Sequence, residues 1–179
     1  MEIVKDKIMY QVATNRNFRV GDVLTFGKEL NGQGKRALQE SFKEYEFALR
    51  EIAIETARKK INKDLPSRFT CMFLTDQKEY VLKGIKEFWK KGRGGKTFQA
   101  ISVKVNGKLF VGNGYLNRLR QDSYDGYYNG ALEYWKGIDL QQKPKKDEEL
   151  CVEFLFEGTA EVLEIFDEYS VDGADNETK

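Results

Sequence analysis

The dipeptide Asn106-Gly107 lies between two apolar segments and constrains the fold of this chain more than any other local feature. Phe98–Val105 precedes it and Lys108–Val111 follows it, and both segments are rich in residues that favour strands. Asn-Gly suits the two-residue turn of an antiparallel hairpin, because both of its residues tolerate positive φ. The sequence therefore predicts a β-hairpin over residues 98–111.

A second pair of strand-like segments lies near the end of the chain. Glu149–Phe156 and Ala160–Phe166 flank Glu157-Gly158-Thr159, which predicts another hairpin. Earlier strands are indicated at Ile8–Thr14 and Phe69–Thr75. The order strand, helix, strand, helix, paired strands, helix, paired strands predicts an α+β fold with small, mostly antiparallel split sheets, one long helix and two shorter helices. We expect a single domain over residues 1–166 and an acidic, flexible tail over 167–179.

The long helix is predicted from about Lys35 to Asn62. Apolar residues recur at spacings of four and three and should pack in the core: Leu38, Phe42, Tyr45, Leu49 and Ile52. The opposite side is charged and should face solvent: Lys43, Glu44, Arg50, Glu51 and Arg58. Asp76, with Glu79 three residues later, predicts the start of a second helix. Its apolar stripe is Val81, Ile85, Phe88 and Trp89, and a third helix is predicted to end near Lys136.

The chain contains no histidine, which excludes catalytic triads built on imidazole and the common zinc sites. Cys71 and Cys151 lie in apolar runs, where a reduced, buried thiol is the expected state. The net charge of +1 gives no general attraction to nucleic acid or lipid. No apolar segment is long enough to span a membrane and no signal peptide is evident, so we expect a cytoplasmic protein without a metal site.

One segment is strongly basic. Lys83–Lys96 carries six cations against the single acid Glu87, and its Gly92-Arg93-Gly94-Gly95 stretch would let a phosphate approach the backbone. A P-loop is rejected, because Lys90 stands where that motif requires glycine. Two interpretations remain, a solvated helix end and a nucleic-acid or partner contact made by four residues: Lys90, Lys91, Arg93 and Lys96.

A metal-dependent nuclease is a further alternative. Such an enzyme commonly places an acid two positions before a lysine on one strand. Lys104 is the best-placed strand lysine, but Ser102 stands where that acid would be.

Three segments, in this order, resemble ADP-ribosyltransferases and an uncharacterised bacterial and phage family that is similar to them. Tyr10-Gln11-Val12-Ala13-Thr14 resembles the first strand, in which an aromatic residue and His or Arg precede a small hydroxyl residue. Phe73-Leu74-Thr75 resembles the strand that leads into a helix beneath the cofactor. Glu149, followed by a strand and Gly158, resembles the late strand that a glutamate opens.

This resemblance implies that NAD binds in a cleft between two small sheets. Glu149 would be the catalytic residue, because a carboxylate stabilises the oxocarbenium-like charge formed at the nicotinamide ribose. Phe73 or a nearby tyrosine would stack on nicotinamide, and Gln11, Thr14 and Thr75 would complete the cofactor site. Gln11 stands where active members carry His or Arg. Glutamine still offers a hydrogen-bond donor and an acceptor, so NAD binding without catalysis remains open.

The alternative from a different class is a non-enzymatic inhibitor from a phage or mobile element. Such a protein, comparable to an anti-CRISPR inhibitor, would block a host protein or nucleoprotein. The missing His or Arg and the basic segment up to Lys96 favour this interpretation.

Overall fold

The computed structural model describes residues 1–38, 45–90, 97–116, 121–139 and 151–170. Its strands are β1 (Glu2–Thr14), β2 (Val23–Phe26), β3 (Met72–Leu74), β4 (Thr97–Asn113) and β5 (Val152–Ser170). Its helices are α1 (Gly32–Leu38), α2 (Tyr45–Ile61), α3 (Lys78–Lys90) and α4 (Tyr124–Tyr134). In the described residues the strands form an antiparallel sheet in the order β1-β4-β5-β2, and β3 pairs with β5. The predicted α+β class is confirmed.

Both hairpin predictions are wrong, because β4 and β5 are single long strands that run through the expected turns. Gly107 has φ 155° and Gly158 has φ 146°. A Cβ on Gly107 would lie 2.2 Å from the Glu157 carbonyl oxygen. These glycines therefore allow positive φ and close backbone approach inside a strand ladder, and they do not reverse the chain.

The chain divides into two compact units, each assembled from three segments. The first unit comprises Met1–Val4, Thr25–Phe73 and Gly107–Gly158. The second comprises Lys5–Leu24, Leu74–Asn106 and Thr159–Lys179.

In the first unit, α2 packs against α4 around a cluster of aromatic side chains. The ring of Phe110 lies 4.9 Å from that of Trp135 and 5.5 Å from that of Tyr134, between centroids. Trp135 is 3% exposed, and its Nε1–H donates to the Ile54 carbonyl at 2.8 Å. The aromatic rings thus fill the core, and the buried indole N–H of Trp135 is satisfied by the Ile54 carbonyl.

The core-facing side predicted for the long helix is wrong. Tyr45 is 64% exposed and Ile52 40% exposed, whereas Glu51 is fully buried and Arg58 is 8% exposed. Lys43, Glu44 and Phe42 lie outside the described residues. Hydrophobic periodicity does not predict the buried side here, because each buried charge has a partner of opposite charge. Such a partner offsets the cost of transferring a charged side chain from water into the core.

In the second unit, α3 lies on the sheet through Val81 and Ile85, as the sequence predicts, and these residues contact Phe98 and Ala100. Partly buried side chains surround this cluster: Tyr10, Val12, Leu82, Phe166 and Tyr169. No helix in the described part of the chain is long and apolar enough to cross a membrane.

Candidate functional site

Two of the three segments that carry the resemblance meet at Tyr10 and Thr75, which both lie in the second unit. The Tyr10 N–H donates to the Thr75 carbonyl at 2.8 Å, and the Thr75 N–H donates to the Tyr10 carbonyl at 2.9 Å. The Thr75 hydroxyl accepts from the Gln77 N–H at 3.2 Å, at the approach to α3. The bridge therefore places the end of β3 and the entry to α3 beside the second half of β1.

The predicted cofactor residues do not all lie on one side of β1. Side chains alternate along a strand, so Tyr10, Val12 and Thr14 share one face, which we call the Tyr10 face. Directly paired residues project to the same side, which adds Thr75 to this face. The side chain of Gln11 projects from the opposite face of β1 and is half-buried.

The Tyr10 face also carries an aromatic pair and a cation. The Tyr10 and Phe166 ring centroids are 6.1 Å apart with the rings tilted by 42°. The Lys78 Nζ lies 3.6 Å from the centroid of Phe166. Thr75, Tyr10, Phe166 and Lys78 are thus consecutive neighbours within the second unit.

Phe73 has a different environment, in the first unit. It packs against the aromatic core, and the Arg68 guanidinium carbon lies 5.2 Å from its ring centroid. One face of the ring predicted to stack on nicotinamide is therefore already in contact with a cation.

The remaining predicted site residues are not described. Glu149, Lys91, Arg93 and Lys96 lie outside the described residues, and so does the side chain of Lys90. Their roles stay predictions.

The first unit contains a buried ionic cluster that the sequence did not predict. Arg68, between α2 and β3, is 5% exposed, and its Nε donates to Glu51 at 3.0 Å. Its Nη1 contacts Glu153 at the start of β5, and the Tyr134 hydroxyl donates to the same Glu153 oxygen at 3.0 Å. Gln33 Nε2 donates to Glu51 at 2.7 Å. Glu153 is therefore held by two donors, Arg68 and Tyr134.

A family model described as "Protein of unknown function (DUF2441)" matches residues 6–168. The chain belongs to this family. The match includes every predicted site residue, and the description assigns no activity. No curated protein matches the chain.

The ionic cluster of this DUF2441 chain has fixed charges. Burial alone raises the pKa of Glu51, but the charge of Arg68 and hydrogen bonds from Arg68 and Gln33 hold it below its usual range. Burial and the charge of Glu153 raise the pKa of Tyr134 well above its usual range. Burial lowers the pKa of Arg68, but Glu153 and Glu51 outweigh this and raise it. Near neutral pH, Glu51 and Arg68 therefore stay charged and Tyr134 stays neutral.

The spacing of the charged residues along α2 could have indicated this cluster. Glu51, Glu55 and Arg58 recur at spacings of four and three beside Ile54, and these residues are buried together with Ala53 and Ala57. Arg58 pairs with Glu55 at 2.8 Å and donates to the Leu65 carbonyl at 2.7 Å. Charged residues with helical periodicity beside small apolar ones indicate buried ion pairs, provided that partners are available elsewhere in the chain.

The lysine weighed for a nuclease site forms an ordinary strand-to-strand pair in this DUF2441 chain. Lys104 Nζ lies 2.5 Å from a carboxylate oxygen of Glu161, and that hydrogen bond raises the pKa of Lys104. Among the described residues no group of three or more acids or cysteines could hold a metal ion.

Proposed function

We propose that this DUF2441 member binds NAD or a related nucleotide on the Tyr10 face. The observation that carries the proposal is the Tyr10–Thr75 backbone bridge, with bonds of 2.8 and 2.9 Å. Segments 65 residues apart would have no reason to form one site unless the fold paired them. Both segments resemble cofactor-lining strands of ADP-ribosyltransferases, so their adjacency supports a shared ligand.

The chemistry of the face suits a nucleotide. The hydroxyls of Thr14 and Thr75 can donate to and accept from ribose hydroxyls. The rings of Tyr10 and Phe166 pack partly against the cluster around Val81 and Ile85, and the part of each ring that stays exposed offers apolar surface to a planar base. Tyr10, Thr14 and Phe166 are held by strands, which position side chains more rigidly than loops do, and Thr75 is held by its backbone bridge to Tyr10.

Glu149 is the proposed catalytic carboxylate, on the resemblance alone. If turnover occurs, the bond between the ribose C1′ and the nicotinamide nitrogen breaks, and nicotinamide leaves with the electron pair. Water or an acceptor side chain then adds at C1′ and loses its proton. Glu149 would stabilise the positive charge at C1′ between these events.

Titration calorimetry with NAD tests the binding proposal. Thr75→Val removes one hydroxyl at nearly constant shape and should raise the Kd about fivefold, because one hydrogen bond contributes on the order of 1 kcal/mol. Thr159→Val is the matched control, since Thr159 is an exposed strand threonine of the same unit. Wild-type protein that binds no NAD at millimolar concentrations, or equal affinity for all three proteins, would contradict the proposal.

Gln11→Ala separates the resemblance from the strand geometry. The resemblance gives Gln11 a direct cofactor contact, which predicts weaker NAD binding in the variant. The side-chain alternation of β1 places Gln11 away from Thr75 and predicts an unchanged Kd. Hydrolysis of labelled NAD by wild type and by Glu149→Gln then tests turnover separately from binding.

A further inference from the structure

We infer that Lys78 forms the phosphate subsite of the nucleotide site, so that the protein prefers phosphorylated nucleosides to free nucleosides. This inference rests on the proposed function. Lys78 is the first residue of α3, three positions after Thr75, and its ammonium lies 3.6 Å from the Phe166 ring centroid. A ring that packs against Tyr10 thus holds a positive charge on the Tyr10 face.

The contacts of Lys78 leave this charge available to a ligand. Within the described part of the chain, Lys78 makes no ion pair. Its ammonium contacts the aromatic ring of Phe166. An ammonium has three N–H donors, and contact with one ring face does not satisfy all of them. A phosphate oxygen can accept from the remaining donors while the lysine stem stays on Phe166.

The sequence of chemical groups along the face argues for a nucleotide over a simple anion. Tyr10 and Phe166 present apolar rings, Thr75 presents a hydroxyl, and Lys78 presents a cation. These groups correspond in kind to a base, a ribose and a phosphate. A free inorganic anion would use Lys78 and would not need the rings or the hydroxyl beside it.

The surrounding charges make Lys78 decisive for phosphate. Asp76 and Glu79 are exposed carboxylates on either side of it in the chain. Without the lysine charge, Asp76 and Glu79 would make the local electrostatic potential negative, which repels phosphate. Loss of the Lys78 charge should therefore weaken binding of a phosphorylated ligand by more than the loss of one ordinary hydrogen bond.

The test compares AMP and ADP-ribose with adenosine by titration calorimetry on the full chain. Lys78→Met keeps an apolar stem against Phe166 and removes the charge. We expect it to weaken binding of AMP and ADP-ribose at least about tenfold and of adenosine less than about twofold. Lys86→Met, an exposed lysine of the same helix, is the control and should change neither. Lys78→Arg should restore most of the phosphate preference.

Each result distinguishes the two proposals. Wild-type protein that binds none of NAD, AMP and ADP-ribose contradicts the proposed function and removes the basis of the inference. NAD binding that depends on Thr75 but survives Lys78→Met overturns only the phosphate subsite. An equal loss of AMP and adenosine in Lys78→Met also overturns it, because that pattern indicates a packing role for the lysine. A selective loss of the phosphorylated ligands supports both.

Discussion

The buried ionic cluster of the first unit gives a prediction whose sign and size follow from the structure. Arg68 contacts Glu51, which is fully buried, and Glu153, whose side chain is 18% exposed. Arg68→Met keeps most of the side-chain volume but leaves both carboxylates without their central cation. Breaking a buried pair by removing one partner costs about 3–5 kcal/mol. This is a large share of the roughly 5–15 kcal/mol that stabilises a typical domain.

Urea unfolding at neutral pH measures the change. We expect Arg68→Met to lower the free energy of unfolding by about 3–5 kcal/mol, with the slope against urea unchanged. Lys136→Met is the control, because it breaks an exposed pair with Glu133, whose side chains are 66% and 59% exposed. An exposed pair contributes at most about 1 kcal/mol. A loss below about 1 kcal/mol in Arg68→Met would refute the assigned role of the cluster.

The pH dependence provides a second readout of the same variant. In the wild type the folded pKa of Glu51 is below its usual value, so its stabilisation is present above the unfolded pKa and is lost as the pH falls through the folded pKa. In Arg68→Met, loss of the Arg68 charge and hydrogen bond should raise that folded pKa, while Arg50 at 3.3 Å and the hydrogen bond from Gln33 still act to lower it. The variant should therefore lose less stability than the wild type as the pH falls through the range in which Glu51 titrates. Parallel pH profiles would contradict this reasoning.

Three further predictions concern other parts of the chain. Gly107→Ala should lower the free energy of unfolding in urea by more than about 3 kcal/mol, because its new Cβ would meet the Glu157 carbonyl oxygen. Gly21→Ala is the control: with φ 92° and open space around the residue, it should lower the free energy of unfolding by about 1–2 kcal/mol. A thiol reagent should label Cys151 in the native protein and Cys71 only after unfolding, since Cys71 is 1% exposed and burial raises the pKa of its thiol; prompt native labelling of both would contradict this. The inhibitor alternative predicts that partner capture is lost when four residues become alanine together, and unchanged capture would count against it: Lys90, Lys91, Arg93 and Lys96.

The sequence predicted the class of the fold and the approximate positions of its helices, because capping residues and apolar stripes act locally. Asp76 correctly indicated a helix, which begins at Lys78. The role of Gly107 was predicted in part: the residue does need positive φ. Its place inside β4 could not be predicted, because that depends on the backbone at Glu157, fifty residues away.

The buried face of α2 shows why charge patterns mislead when partners are distant. A glutamate such as Glu51 is expected to face solvent, and its burial is explained only by the contacts with Arg68 and Gln33. Both partners come from outside α2, so the sequence of α2 contains the periodicity of the charges but not their partners. The same limit applies to the candidate site, since Thr75 becomes a neighbour of Tyr10 only through a bridge across 65 residues.

The absence of histidine limits the acid–base chemistry available to the proposed site. Among the described residues, every group with a shifted pKa moves away from neutrality, downward for Glu51 and upward for the others: Arg68, Cys71, Lys104, Tyr127, Tyr134 and Tyr169. The whole chain has no histidine, the residue that ordinarily titrates near pH 7. Transfer of ADP-ribose needs a stabilised positive charge at C1′ more than it needs a proton shuttle. The hydroxyls, the cation and the proposed Glu149 carboxylate of the site suit nucleotide binding and ribosyl transfer better than reactions that depend on a histidine as general acid or base near neutral pH.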